Sequence, residues 1–445
     1  MKRYYSILDE GAVRIYTYDD DSDAFQPLLY HSFNLKNLKA IGWSPLGSYL
    51  LCLGEKELCV LHTEPPFQEI VFPAGGLVGA AEFSPKENYI SLLYWVSENQ
   101  PDVKLEVWEA KTGNIRISFC GSSSPETYFA SVKDYLKWDY NDNYFAVRVS
   151  SSVIIYETKT FSHLKHLMFK QVQEFDWSPS ASILAVFGNS YMKIVDICSG
   201  KKLYGYSWER VEGYKLLWQS AGEYLACICS GTNYKKIFLI SLKSGKAEFI
   251  SPRLDYIDFA WEGNGKQFAV TRGANEVGQT TTNFYTIQED GKYLRHRIKT
   301  LKGMIAHFLH WSPNGHYMVM QGPLNGSREL YFYDIKNHQL LALVYFIAMD
   351  LRWDGSGRFF LTRASPKNIF ESVVRIWSSH GEKLIDVGSL YLPMFWSTKV
   401  SCDAGNSEID LTKESSSYTR DGEHFVEKRP IDDSTLALLD KLRKL

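Results

Sequence analysis

An aromatic residue followed by a polar turn and an aromatic-aliphatic strand recurs along almost the whole chain, and this limits the fold more than any other feature. The anchors are Trp43, Phe83, Trp138, Trp177, Trp218, Trp261, Trp311, Trp353 and Trp396. Their spacings are 40, 55, 39, 41, 43, 50, 42 and 43 residues. After most anchors comes a turn such as Ser44-Pro45-Leu46-Gly47, Ser312-Pro313-Asn314-Gly315 or Asp354-Gly355-Ser356-Gly357. Proline presets φ there and glycine supplies the positive φ that closes a hairpin. A second strand follows at once, as Tyr49-Leu50-Leu51, Tyr224-Leu225-Ala226, Phe268-Ala269-Val270 and Phe359-Phe360-Leu361. A third ends in an aromatic or acidic residue, as in Val107-Trp108-Glu109, Ile155-Tyr156-Glu157, Val195-Asp196, Tyr333-Asp334 and Ile376-Trp377.

Three strands and a variable fourth make a blade. Repeats of this length with one anchor each predict an all-β, nine-bladed, WD-repeat-like β-propeller. Helical arrays of similar period are excluded, because the segments alternate with period two between dense turn signals. Aromatic content agrees: 12 Trp, 28 Tyr and 25 Phe make up 15% of the chain, and these residues suit pleated, half-buried surfaces. An eight-bladed ring is the competing count, if Phe83 or Trp396 is not an anchor. Trp138-Asp139 and Trp353-Asp354 sit at the anchor, not at the end of the third strand where the WD dipeptide belongs, so their adjacency reads as incidental.

Residues 12–18 and 27–33 look like strands with no anchor before them, while Trp396 lacks strands after it. Pairing the two ends would complete the ninth blade and remove exposed sheet edges. The expected organisation is a closed propeller over 1–400, a linker over 401–429 and a short C-terminal α-helix over 430–445. In that helix Leu436, Leu439 and Leu442 fall on one face, with Lys441, Arg443 and Lys444 near its C-terminal end where the helix dipole favours cations. A helix this short is marginal alone, so it docks on the ring or on a partner.

No motif for a catalytic serine, a P-loop or a zinc site is present, and the sequence gives no reason to expect an enzyme, a cofactor or a small-molecule substrate. Seven cysteines are scattered without a Cys-x-x-Cys pair, which fits reduced thiols in a cytoplasmic protein. Cys227 and Cys229 share one strand face and read as packing. His307 and His310 precede Trp311 but form no constellation. The longest apolar run, Leu340 to Met349, is half of what a membrane-spanning helix needs, and Met1 to Ser6 lack the apolar stretch of a secretory signal.

The formal net charge is -2, so any nucleic-acid contact has to be a local patch. The strongest basic run is Lys292, Arg295, His296, Arg297, Lys299 and Lys302, placed on an outer strand of the Trp261 blade. One reading is a charged edge that discourages strand pairing. The other is a phosphate-contacting strip for RNA or the ribosome, carried by Lys292, Arg295, Arg297, Lys299 and Lys302. Asp19, Asp20, Asp21 and Asp23 form an acidic turn, a solvated loop or a seat for a basic protein.

Residues 259–270, Phe-Ala-Trp-Glu-Gly-Asn-Gly-Lys-Gln-Phe-Ala-Val, resemble a Phe-Ala-Trp-Glu-Pro-x-Gly-x-x-Phe-Ala-Val segment of the B-subunit family of eukaryotic translation initiation factor 3, with Gly263 at the proline. Phe284-Tyr285, Trp311-Ser312-Pro313, Ala348-x-Asp350-x-x-Trp353-Asp354-x-x-Gly357-Arg358 and Ile376-Trp377 follow in the family's order. Ile155-Tyr156-Glu157-Thr158, Phe175-x-Trp177-Ser178-Pro179 and Leu217-Trp218-Gln219 precede it. The resemblance implies a nine-bladed ring and a non-catalytic scaffold that binds the small (40S) ribosomal subunit, both rRNA and ribosomal proteins. It also implies a C-terminal helix that recruits the factor's I and G subunits. The family's N-terminal RNA-recognition domain has no counterpart before the first strands here, so contacts made by that domain are not expected of this chain. The rivals are an initiation factor 2A-like propeller, a generic WD-repeat adaptor and a propeller hydrolase.

Overall fold

In the computed structural model the described residues are 2–396 without segments 10–11, 20–25, 36–37, 98–99, 123–131, 208–212, 232–233, 252–255, 264, 274–277, 291–292, 324–328, 349, 364–372 and 389–393. They form strands throughout, with a single 3-10 turn at Val132–Asp134. The strands make nine four-stranded antiparallel sheets, one per anchor, which settles nine blades against eight. Blades 1 to 8 span 40–73, 77–122, 136–169, 172–207, 213–251, 256–304, 308–345 and 350–388. The linker and C-terminal helix expected over 401–445, with Leu436, Leu439 and Leu442, lie outside the described residues.

Blade 9 joins the two ends of the chain. Met394–Trp396 is its first strand, and Lys2–Asp9, Ala12–Asp19 and Leu28–Phe33 follow as second, third and fourth. The register pairs Tyr5 with Trp396, Ser6 with Phe395 and Ile7 with Met394. This pairing closes the ring and leaves neither end with an open ladder of backbone donors and acceptors.

Every anchor is the last residue of the first strand of its blade. First strands of several successive blades touch one another, so they form the inner wall of the ring. Phe83, Trp177 and Trp311 are buried, whereas the indoles of Trp43, Trp138, Trp218, Trp261 and Trp353 are half-buried at the blade-to-blade seam. Middle strands depart from the period-two expectation. Tyr49–Leu53 and Glu57–His62 are buried along nearly their whole length, because each blade is covered on both faces by its neighbours. Alternation survives in the fourth strands, such as Glu69–Pro73, where one side meets solvent. Aliphatic and aromatic clusters fill each interface; Phe259, Phe268 and Tyr285, for instance, pack against Ile237, Leu239 and Ile250 of blade 5.

Turns are built the same way in most blades. The residue after the anchor folds back and its side chain accepts the backbone N–H five positions on: Ser44 Oγ from Tyr49, Ser84 Oγ from Tyr89, Asp139 Oδ1 from Tyr144, Glu262 Oε2 from Gln267, Ser312 Oγ from Tyr317 and Asp354 Oδ1 from Phe359, at 2.9–3.1 Å. Asp139 and Asp354 therefore follow their tryptophans for a reason. They are turn caps, which corrects the reading of their adjacency as incidental.

Candidate nucleic-acid interface

The basic strip lies on the fourth strand of blade 6, Tyr293–Met304, paired with Thr280–Asp290. Leu294 and Leu301 are buried beneath it and hold the strand to the blade. A bulge places Ile298 opposite no partner, since Tyr285 pairs with Arg297 and Phe284 with Lys299. The extra residue breaks strict alternation, so His296, Arg297 and Ile298 are all exposed.

The structure divides the five cations that the sequence grouped. Arg295 is turned inward. Its Nε lies 3.3 Å from Glu248 Oε1, and its guanidinium donates to the carbonyls of Phe249 and Ile250 at 3.3 and 3.1 Å. It also covers the Tyr285 ring at 5.1 Å. Glu248 accepts from the Leu294 backbone as well. Arg295 is thus a clamp between the outer strands of blades 5 and 6. Lys299 is half-buried, and its charge adds to burial in holding the His338 imidazole below its usual range. Arg297 and Lys302 stand in solvent without an ion pair among the described residues. Lys292 lies outside the described residues, as do Asp20, Asp21 and Asp23 of the acidic turn.

Among the described residues no group of three His, Cys, Asp or Glu could hold a metal ion. Cys227 and Cys229 bring their sulfurs to 3.7 Å, but both are buried between blades 4 and 5, and burial raises the Cys227 thiol well above its ordinary pKa. Such thiols are poor nucleophiles and poor ligands. His310 is enclosed at the inner wall, where burial lowers its pKa to about 4. Among the described residues no helix is long and apolar enough to cross a membrane.

Two features escaped the sequence reading. Glu87 and Asp142 occupy the turn position that is glycine in Ser44-Pro45-Leu46-Gly47, at φ 61° and 59°. Each is buried and reaches the preceding blade. Glu87 Oε1 accepts from Leu46 N at 2.7 Å, and Asp142 accepts from Ser84 Oγ at 2.6 Å and Lys86 N at 3.0 Å. The second feature is a tetrad after the third strand, Glu109-Ala110-Lys111-Thr112, Glu157-Thr158-Lys159-Thr160, Ser241-Leu242-Lys243-Ser244 and Asp334-Ile335-Lys336-Asn337. Superposing the repeats by their third strands, and not only by their anchors, makes it visible.

Comparison with known proteins bears out the resemblance seen in the sequence. Residues 201–391 match the family described as eukaryotic translation initiation factor eIF2A. Proteins named as the B subunit of eukaryotic translation initiation factor 3 are similar over much more of the chain. The Xenopus laevis protein is 26% identical over 345 residues, covering 73% of this chain and 48% of its own length. The Arabidopsis thaliana protein is 29% identical over 331 residues, 66% of this chain and 46% of its own. For Nicotiana tabacum the figures are 26% over 405 residues, 82% and 55%. The chain spans about half the length of the curated relatives it matches. A solved structure described as "Crystal structure of the eukaryotic initiation factor" superposes with a TM-score of 0.73 at 17% identity, covering 90% of this chain and 99% of that one, and shares the ring fold.

Proposed function

We propose that this chain is a non-catalytic scaffold of translation initiation, a counterpart of the B subunit of initiation factor 3 that docks on the small (40S) ribosomal subunit and on other subunits of the factor in the cytoplasm. The observation that carries the reading is extended similarity to proteins of that name, over 66–82% of the chain. The geometry is compatible. A closed ring of nine sheets offers turn faces and outer strands as contact surfaces, and docking needs no reacting group. In this reading residues 1–400 are the ring, 401–429 a linker, and 430–445 a helix whose Leu436, Leu439 and Leu442 seat the I and G subunits. Lys292, Arg297, Lys299 and Lys302 are candidate contacts to RNA or ribosomal protein, and Arg295 supports them from beneath.

A second reading, an initiation factor 2A-like propeller, is favoured by the family match over residues 201–391. Affinity capture of the full chain with mass spectrometry separates the two. Recovery of 40S proteins together with subunits of initiation factor 3 supports the first reading. Recovery of 40S proteins without those subunits supports the second, and a partner set free of ribosomal proteins removes both. An active-site serine probe is expected to leave the chain unlabelled.

A further inference from the structure

The turn that follows the first strand of a blade and the turn that follows its third strand lie on the same face of the ring. Backbone bonds stitch them together: Ala110 N donates to Asn88 O, Thr158 N to Asn143 O, Leu242 N to Glu223 O and Ile335 N to His316 O, at 2.9–3.0 Å. The donor in each pair is therefore pinned downward, with Ala110, Thr158 and Ile335 buried and Leu242 half-buried. The next residue has to point away from the ring. In blades 2, 3, 5 and 7 that residue is Lys111, Lys159, Lys243 and Lys336, and all four are exposed without an ion pair among the described residues.

Beside three of these lysines the carboxylates are occupied by the turns themselves, and beside Lys243 the exposed Glu223 pairs with Lys266 at 3.6 Å. Glu109 Oε2 accepts from Thr112 Oγ1 at 2.6 Å, Glu157 Oε2 from Thr160 Oγ1 at 3.2 Å, and Asp334 from the backbone and side-chain nitrogens of Asn337 at 2.8 and 2.9 Å. Asp139, Asp142 and Asp354 on the same face are buried in the first turns. Exposed Lys86 and Lys201 add to the same arc. On the opposite face two described turns interleave signs, Glu55-Lys56-Glu57 and Lys133-Asp134, and the turns 150–151 and 189–190 carry no charge. Blade 1 carries exposed Glu64 at the position of the lysines, so the face is polarised around the ring.

We infer that the turn-tip lysines Lys111, Lys159, Lys243 and Lys336 form a phosphate-binding arc for double-stranded RNA, read through its backbone and not its sequence. This deepens the reading of the chain as a ribosome-docking scaffold by naming the face and the chemistry it meets. Neighbouring sheets pack about 10 Å apart, so Lys111 and Lys159 on adjacent blades meet nearby phosphates, whereas Lys243 and Lys336, each a further two blades on, meet phosphates farther along the duplex as separate point charges. The groups beside them, Thr112, Thr160, Ser244 and Asn337, are hydroxyls and an amide, the usual company of a phosphate contact, whereas a protein partner would want an apolar anchor at the centre.

The test measures binding of a short RNA duplex to the full chain by fluorescence anisotropy from about 50 to about 200 mM salt. Replacing the four lysines together, Lys111→Gln, Lys159→Gln, Lys243→Gln and Lys336→Gln, should weaken binding at least about tenfold and reduce the salt slope by roughly 3 to 4, near one per lost phosphate contact. The fourfold Lys→Arg variant should keep the wild-type slope. The pair Arg297→Gln and Lys302→Gln, on the outer strand of blade 6, should lower it far less. The inference is overturned if the fourfold glutamine variant keeps the wild-type slope, if the outer-strand pair accounts for the loss, or if polyglutamate of equal charge displaces the wild-type chain from RNA as well as RNA itself does. Capture of 40S proteins by the glutamine variant distinguishes failure of this face from failure of the scaffold reading, which concerns the partners alone.

Discussion

The indole of Trp177 donates from Nε1 to the carbonyl of Lys137, 2.9 Å away on the first strand of the preceding blade. The relation repeats. Trp218 donates to Asp176, Trp261 to Leu217 and Trp353 to His310, each to the residue just before the preceding anchor. Trp311 departs from it and donates to Gly315 of its own turn. The anchors are therefore seam bolts as well as apolar fillers, which explains why tryptophan and not phenylalanine dominates their position.

Replacing Trp177 with Phe keeps an aromatic ring but leaves the Lys137 carbonyl without its donor. A buried acceptor so stranded costs about 1–3 kcal/mol, and the smaller ring adds a cavity. The urea midpoint should fall accordingly. Trp311→Phe should leave the bond pattern between blades 6 and 7 unchanged, because its indole bond stays within one blade.

Asp142 should be more tolerant of glycine than of alanine. Its backbone is left-handed, at φ 59°, and its carboxylate holds Ser84 Oγ, Lys86 N and Asn88 Nδ2 of the blade before it. Asp142→Ala loses those bonds and keeps the strained backbone. Asp142→Gly loses the same bonds and relieves the strain, so it should be more stable than the alanine variant by about 1 kcal/mol. Thermal unfolding of the two variants side by side reads the order directly.

Arg295 and Arg297 are two residues apart and should behave as opposites. Arg295→Ala strands Glu248 in a partly buried seam and removes two bonds to blade 5, with an expected loss of about 2 kcal/mol or more. Arg297→Ala removes an exposed side chain and should stay within about 0.5 kcal/mol of wild type. Chemical denaturation of the two variants checks the contrast.

How much of this was legible follows from where each signal sits. Anchors and Ser-Pro-x-Gly turns are local, and their spacing pointed to nine blades; the strand-like segments 12–18 and 27–33 ahead of the first anchor pointed to pairing of the chain ends, although the strand that makes the pair, Lys2–Asp9, was not among them. The basic run on blade 6 was visible as composition, but its division was not. Whether Arg295 meets solvent or Glu248 depends on the blade next door and on the bulge at Ile298, neither of which lies in the run itself. The turn-tip lysines were hidden for the opposite reason. They stand tens of residues apart, and only the stacking of blades brings them to one face.

His310 offers a pH test with a definite sign. Burial holds its folded pKa near 4, against an ordinary value of 6.5, so the fold favours the neutral ring. The unfolded chain takes up a proton as pH falls through about 6.5, while the folded chain does not until about 4. The neutral-ring contribution is therefore fully present above pH 6.5 and lost progressively below it, by up to about 3 kcal/mol at pH 4. Asp139, Asp176 and Asp258 act the other way: burial raises each of their pKa values, so their unfavourable charge is relieved as pH falls. The His310 effect is isolated by comparing wild type with His310→Phe, which keeps the backbone carbonyl that receives the Trp353 indole. Stability curves from pH 7 to pH 4 should diverge, with wild type losing more than the variant. Parallel curves would show that the ring is protonated in the folded state and that the inner wall is open to water at that point.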